Sequence, residues 1–264
     1  MIYFVEGAPA VGKSFYARKL QKEAIRTTIY YKEEYKNPID LLRQAVLTEE
    51  ELDAFLMTLK EMCTDVFYKE IEQSIYDSIT EANGLLFVPF MHIRTETVEQ
   101  HNHLYSLYNK EIDDGKCSYS FYCKTLISRL VEFLQNIEND KDYIFEGALL
   151  HNPLISILGF YDVDEYEIIH FYESIEKILR QTEYEIHLVE CDDTNKVIMH
   201  AIETRGYQDY GWDIGFDRWF GQTCKYKEYK GKNGIVAFSK DIDRCENYIL
   251  KNVPLKKTII KREV

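Results

Sequence analysis

The sequence predicts an α/β fold of three layers, with helices packed on a parallel sheet, and three observations carry that prediction. Short apolar runs occur without polar alternation, as in strands covered on both faces. Segments of helical period separate them. A glycine-containing loop joins the first such run to the first helix.

Taken in order, Ile2–Val5 is the first strand, and the helix from Lys13 carries Phe15, Ala17, Leu20, Ala24 and Ile25 at close to helical spacing. Thr28–Tyr31 is the second strand, followed by the polar loop Lys32–Pro38. Between Leu41 and Ile79 the apolar positions Leu52, Phe55, Leu56, Leu59, Met62, Val66, Phe67, Ile71 and Ile75 predict one or two amphipathic helices. Asn83-Gly84 breaks the pattern, and Leu85–Phe90 reads as an edge strand or extended connector because it contains Pro89. Helices are expected over Val98–Ile112 and Tyr119–Ile137, and a third strand over Asp142–Glu146. Further helices fall near Asn152–Leu158 and over Asp164–Gln181, with a fourth strand at Glu185–Val189 and a helix over Asp192–Thr204. Gly234–Phe238 is the expected fifth strand, Ser239 caps a last helix to about Asn252, and Leu255–Ile260 adds a lysine-decorated edge.

With 264 residues, 45% hydrophobic and 14% aromatic, the chain is large enough to bury a core, and 12 Gly and 5 Pro exclude a low-complexity chain. The net charge of -13 argues against a general binder of nucleic acid, which needs a basic face. No apolar run approaches the roughly 18 residues of a membrane span, and residues 1–7 lack the basic flank of a signal peptide. Six cysteines without a C-x-x-C pair read as reduced packing thiols, so a cytoplasmic location is expected. One domain over 1–264 is expected, with a mostly helical insertion over 41–140 and a lid-like segment over 205–232.

The strongest chemical signal is Gly7-Ala8-Pro9-Ala10-Val11-Gly12-Lys13-Ser14, which fits G-x-x-x-x-G-K-[ST] between a strand and a helix start. Such a phosphate loop turns backbone N–H groups inward around phosphate oxygens, Lys13 reaches the β- and γ-phosphates, and Ser14 ligates Mg²⁺. ATP and Mg²⁺ are therefore the expected cofactors. Asn195-Lys196-Val197-Ile198 lacks the Asp of the guanine-reading N-K-x-D, and no transporter signature is present. Leu188–Asp193 is similar in outline to a Walker B strand, although capping of the next helix by Asp192 or Asp193 accounts for the acids.

With its Phe4-Val5-Glu6-Gly7 entry to the loop, a strand ending at Glu146 and a helix closing in Thr204-Arg205-Gly206, the sequence resembles the nucleoside and nucleotide kinases. It is also similar to bacterial thymidylate kinase-like proteins of the form Tyr-Ile-Phe-Glu-x-x-x-Leu-x-Asn-Pro, seen here at Tyr143–Pro153. Glu146-Gly147-Ala148 stands where thymidylate kinases carry Asp-Arg-Tyr/Ser, and a long insertion separates the second and third strands. The resemblance implies a P-loop NTPase fold with sheet order 2-3-1-4-5. In that order the third strand lies beside the first, so Glu146 sits near the phosphate loop as catalytic carboxylate or metal ligand, or else as a helix cap.

Glu6 is a candidate for metal or substrate contact, or a buried structural acid. Glu33, Glu34 and Asn37 lie in the loop where related kinases hold the acceptor, and Arg129 in the insertion is a candidate for an anionic group or a surface cation. Arg205 and Arg218 flank Tyr207, Tyr210 and Trp212, with Trp219 and Tyr226 beyond, a set suited to closing over a transferred phosphoryl group. His101 and His103 lack acidic co-ligands at metal spacing, and His151 reads as a surface or capping histidine. The expected activity is Mg-ATP-dependent phosphoryl transfer to a small hydroxyl-bearing molecule, a nucleoside or natural product. The alternatives are a nucleoside monophosphate kinase or a nucleotide-binding regulatory module. No nucleic acid or membrane partner is expected, and a homodimer is compatible with the reading.

Overall fold

The computed structural model describes residues 1–33, 37–204 and 212–262. The chain forms two compact units, Met1–Lys32 with Ile137–Val264, and Glu33–Asn136. Along the chain run β1 (Ile2–Glu6), α1 (Lys13–Glu23), β2 (Thr27–Tyr31), β3 (Gln44–Leu47), α2 (Glu49–Glu61) and α3 (Asp65–Tyr76). Then come β4 (Thr80–Ala82), β5 (Leu85–Pro89), α4 (Val98–Tyr105), α5 (Tyr119–Gln135), β6 (Lys141–Glu146), α6 (His151–Phe160) and α7 (Glu165–Leu179). The chain continues through β7 (Tyr184–Cys191), α8 (Thr194–Thr204), α9 (Trp212–Gln222), α10 (Gly231–Asn252) and β8 (Lys257–Arg262). Among the described residues no helix is long and apolar enough to cross a membrane.

The first unit is built on a parallel five-stranded sheet of order β2-β6-β1-β7-β8. Numbered along the chain this differs from the expected 2-3-1-4-5: the three strands of another sheet, β3, β4 and β5, precede β6, and the last position belongs to a different segment. Gly234–Phe238, expected as the fifth strand, lies inside α10, while Lys257–Arg262 fills that edge. Ile235, Phe238, Ile242, Cys245 and Ile249 are all buried, a spacing of three to four that continues well past Phe238 and selects a helix. Ser239 is not a cap but an interior residue whose hydroxyl donates to the Ile235 carbonyl at 2.9 Å. On one face of the sheet Val5, Ile144 and Val189 pack with Ala17 of α1, and on the other Phe4 stacks on Phe145 at 5.6 Å. Both faces are covered, which is why these strands read as continuous apolar runs.

In the second unit β3-β5-β4 form an antiparallel sheet, so the insertion is not only helical. Four- and three-residue strands are too short to show alternation, which hid β3 and β4. β5 is the central strand rather than an edge, and Pro89 is tolerated because it is the strand's last residue, opposite Gln44. The α2 and α3 residues singled out by period, Leu52, Phe55, Leu56, Leu59, Phe67, Ile71 and Ile75, join Val88 and Phe90 in one core cluster. Thr48 and Glu51 close a capping box on α2. The helix expected to Ile112 stops at Tyr105 and continues as a 3-10 turn over Ser106–Lys110.

Candidate active site

The loop between β1 and α1 has the backbone its glycines require. Gly7 has φ 128° and a Cβ there would lie 2.4 Å from the Val189 carbonyl oxygen. Gly12, the N-cap of α1, has φ 99°, and Ala10 between them is also left-handed at φ 66°. No side chain caps α1 and its first turn holds no acid, so the helix presents its positive end to the loop. Lys13 is buried, and its ammonium donates to the Gly7 and Ala8 carbonyls at 3.1 and 3.3 Å, which holds the charge inside the loop.

Glu146 reaches this loop through strand register. β6 pairs in parallel with β1, Val5 opposite Glu146, and the Gly147 N–H donates to the Val5 carbonyl at 3.0 Å. The buried carboxylate of Glu146 accepts from the Ser14 hydroxyl on Oε1 and from the Tyr30 hydroxyl on Oε2. Ser14 and Glu146, read separately from the sequence, thus meet side chain to side chain. Tyr30 is a site residue that sequence reading missed. Its strand was legible, but only the β2-β6 pairing, Tyr30 opposite Ile144, brings its hydroxyl within reach.

Glu6 has a different task from metal or substrate contact. It is fully buried, and its two oxygens accept the N–H groups of Leu149 and His151, each at 2.9 Å, so it pins the turn from β6 into α6. Burial raises its carboxyl to about 7, against the lowering effect of those N–H groups and of Lys13. His151 is neither a surface nor a capping residue: it is buried at the start of α6 with no partner on Nδ1, and burial, then Lys13, depress its pKa well below the usual imidazole range. Asp243 and Glu246 on α10 face the same charge. Burial raises Asp243 to about 6, and burial together with Glu6 and Asp243 drives Glu246 well above the carboxylate range.

In the second unit, Asn37 is spent on the backbone: its Oδ1 accepts from Ile39 and Asp40 N–H at 3.2 and 3.1 Å. Arg129 is not a surface cation. It is buried, donates from Nε to the Pro38 carbonyl at 2.7 Å and from Nη2 to the Asn37 carbonyl at 2.8 Å, and lies 4.8 Å from the Phe87 ring centroid. Burial lowers its pKa to about 10, with Asp40 and Glu132 opposing. Both residues hold the backbone of residues 37–40, and Arg129 Nη1 is buried with no hydrogen-bond partner among the described residues. Glu33 is half-buried, and Glu34 lies outside the described residues.

Arg205, Tyr207 and Tyr210 also lie outside the described residues. Arg218 is exposed on α9. Trp219 packs on Phe160, Phe216, Phe220 and Phe238 with ring centroids 5.0–6.3 Å apart, and Tyr226 packs on Phe238 at 4.7 Å. Trp219 and Tyr226, of this aromatic set, are thus part of the packing of the first unit. His103 donates from Nε2 to the Phe55 carbonyl and stacks on Phe55, and among the described residues no group of three His, Cys, Asp or Glu side chains is arranged to hold a metal. Asp193 does cap α8, accepting from the Lys196 N–H at 2.9 Å.

A hydroxyl and a carboxylate meet beside the loop, Ser14 and Glu146, both hard oxygen ligands of the kind Mg²⁺ takes together with phosphate oxygens. The residues present fit an Mg-nucleotide. No family model and no curated protein sequence matches the chain. Among solved structures it is similar to the YGR205w protein at 11% identity and TM-score 0.31, and to a herpesvirus thymidine kinase, EHV4-TK, complexed with TP5A, at 10% identity and TM-score 0.30. Each likeness covers 100% of this chain and 85% of the other.

Proposed function

We propose that this chain is a Mg-ATP-dependent phosphotransferase acting on a small, hydroxyl-bearing acceptor. The observation that carries the reading is the meeting of Ser14 and Glu146 beside a loop whose left-handed glycines and buried Lys13 form a phosphate cradle. In this reading the loop N–H groups and the α1 terminus bind the polyphosphate, and Lys13 neutralises charge on its outer oxygens. Mg²⁺, held by Ser14 and Glu146, supplies further charge neutralisation when bound. Glu146 also takes the proton of the attacking hydroxyl, with Tyr30 orienting its second oxygen.

Two features favour an acceptor without its own phosphate. Two of the three guanidinium nitrogens of Arg129, Nε and Nη2, are committed to the carbonyls of Pro38 and Asn37, and the net charge of -13 disfavours a second anion. The test is acceptor-stimulated ADP release across a library of nucleosides, aminoalcohols, sugars and nucleoside monophosphates, run on wild type and Lys13→Ala. We expect a stimulating acceptor among the uncharged or cationic compounds and no turnover in Lys13→Ala. Robust phosphorylation of a nucleoside monophosphate moves the reading to that class of kinase, and equal turnover in Lys13→Ala refutes the site.

A further inference from the structure

We infer that Arg262, at the carboxyl end of β8, is a second cation of the phosphate loop and binds the polyphosphate of a nucleoside di- or triphosphate. The inference rests on the nucleotide reading of residues 7–14 and adds a residue from the opposite end of the described chain. Nothing in the linear sequence links the two: Val11 and Arg262 are brought together by the sheet order, in which β8 lies outside β7 and Cys191 pairs with Arg262. That register sets Arg262 at the carboxyl edge of the parallel sheet, the edge where such folds bind ligands.

The contact is close. Arg262 Nη1 donates to the Val11 carbonyl at 2.9 Å. A Cβ added to Gly12 would lie 2.2 Å from Nη1, 3.0 Å from Cζ and 3.3 Å from Cδ, so the guanidinium lies against the backbone of the residue that starts α1. Glycine at position 12 therefore serves two ends, the left-handed turn and the close approach of this guanidinium. Among the described residues Arg262 forms no ion pair, and the Val11 carbonyl uses one of its five N–H donors. A planar fork set beside a phosphate loop suits bidentate contact with phosphate oxygens, whereas Lys13 acts as a point charge. Since Asp243 and Glu246 already face Lys13, a second cation raises the positive potential that an incoming polyphosphate meets.

The experiment measures Mg-ADP and Mg-ATP affinity by calorimetry for wild type, Lys13→Ala, Arg262→Ala and Arg262→Lys, with the thermal midpoint of each nucleotide-free protein as the fold check. Loss of charge-assisted hydrogen bonds predicts about tenfold to a hundredfold weaker binding in Arg262→Ala, with an unchanged thermal midpoint and partial recovery in Arg262→Lys. Nucleotide affinity within threefold of wild type in Arg262→Ala, while Lys13→Ala is impaired, means that Arg262 only fastens β8 to the loop, and overturns this inference while leaving the nucleotide reading standing. Absence of nucleotide binding in wild type overturns both.

Discussion

Glu146 accepts two hydroxyl donors at once, from Ser14 and Tyr30, and that pairing separates its roles at the level of single atoms. Glu146→Gln keeps the shape and removes proton acceptance and charge. The expected result is a fold and nucleotide affinity close to wild type with a rate lower by about 100- to 10,000-fold, read from steady-state kinetics with a good acceptor. A loss below about tenfold places the base elsewhere. Tyr30→Phe removes one orienting hydrogen bond, and a fall in kcat of roughly tenfold with ATP KM unchanged is expected. Glu6 behaves differently because its partners are backbone N–H groups of Leu149 and His151. Glu6→Ala leaves two buried donors without acceptors, each costing about 1–3 kcal/mol, so its effect is a large loss in denaturant midpoint. Normal stability with selective loss of turnover would return Glu6 to the chemistry.

At the scale of elements, α10 and the aromatic cluster beside it show what a rich local composition can conceal. Phe220 is fully buried, with Trp219 at 5.4 Å, Phe238 at 5.8 Å and Tyr229 at 5.8 Å. Phe220→Ala is expected to cost about 3–5 kcal/mol, measured by chemical denaturation, because the cavity left among rigid rings collapses only in part. A segment whose aromatics closed over ligand would instead show a raised KM and little change in stability, and that outcome sinks the packing assignment. The caps are quieter: Asp164 and Glu167 form a capping box on α7. Such a box satisfies end N–H groups and sets where the helix begins, a rule that acts between residues three apart.

For the whole molecule, several carboxylates are buried with too little compensating charge, and this dictates a pH dependence. Glu6, Asp243 and Glu246 in one unit, and Glu111, Asp113 and Asp114 in the other, are raised chiefly by burial. Each binds its proton more tightly folded than unfolded, so its stabilising contribution is full below its unfolded value near 4 and is lost as pH rises through the folded value. His151 has the opposite sign: held neutral in the fold, it contributes fully above about 6.5 and loses that contribution as pH falls. From pH 6.5 to 8 the histidine is therefore constant while the highest acids still release protons. Denaturant midpoints are expected to fall over this interval, with a shallower fall in Glu246→Gln. A midpoint that rises between pH 6.5 and 8 contradicts the assignment.

The sequence by itself determined what depends on neighbours within a few residues. The strand, loop and helix of residues 2–23 were legible because buried parallel strands lack alternation and because the G-x-x-x-x-G-K-S spacing matches a specific backbone shape. The amphipathic helices α2 and α3 were legible by the period of their apolar residues. Gly234–Phe238 was not, since five apolar residues satisfy both the period of a strand and that of a helix, and packing along Ile235–Ile249 chose the helix. Tertiary structure alone decided which of the singled-out residues share a site. Parallel register joined Glu146 to Ser14, the β2-β6 pairing added Tyr30, and the last strand brought Arg262 to Val11 across about 250 residues of chain. Burial likewise placed Asn37 Oδ1 and two of the Arg129 nitrogens on the backbone of a turn. The physical reason is one of range: local backbone preferences act over a few residues, whereas a site is assembled by strand order and burial, which join residues far apart in sequence.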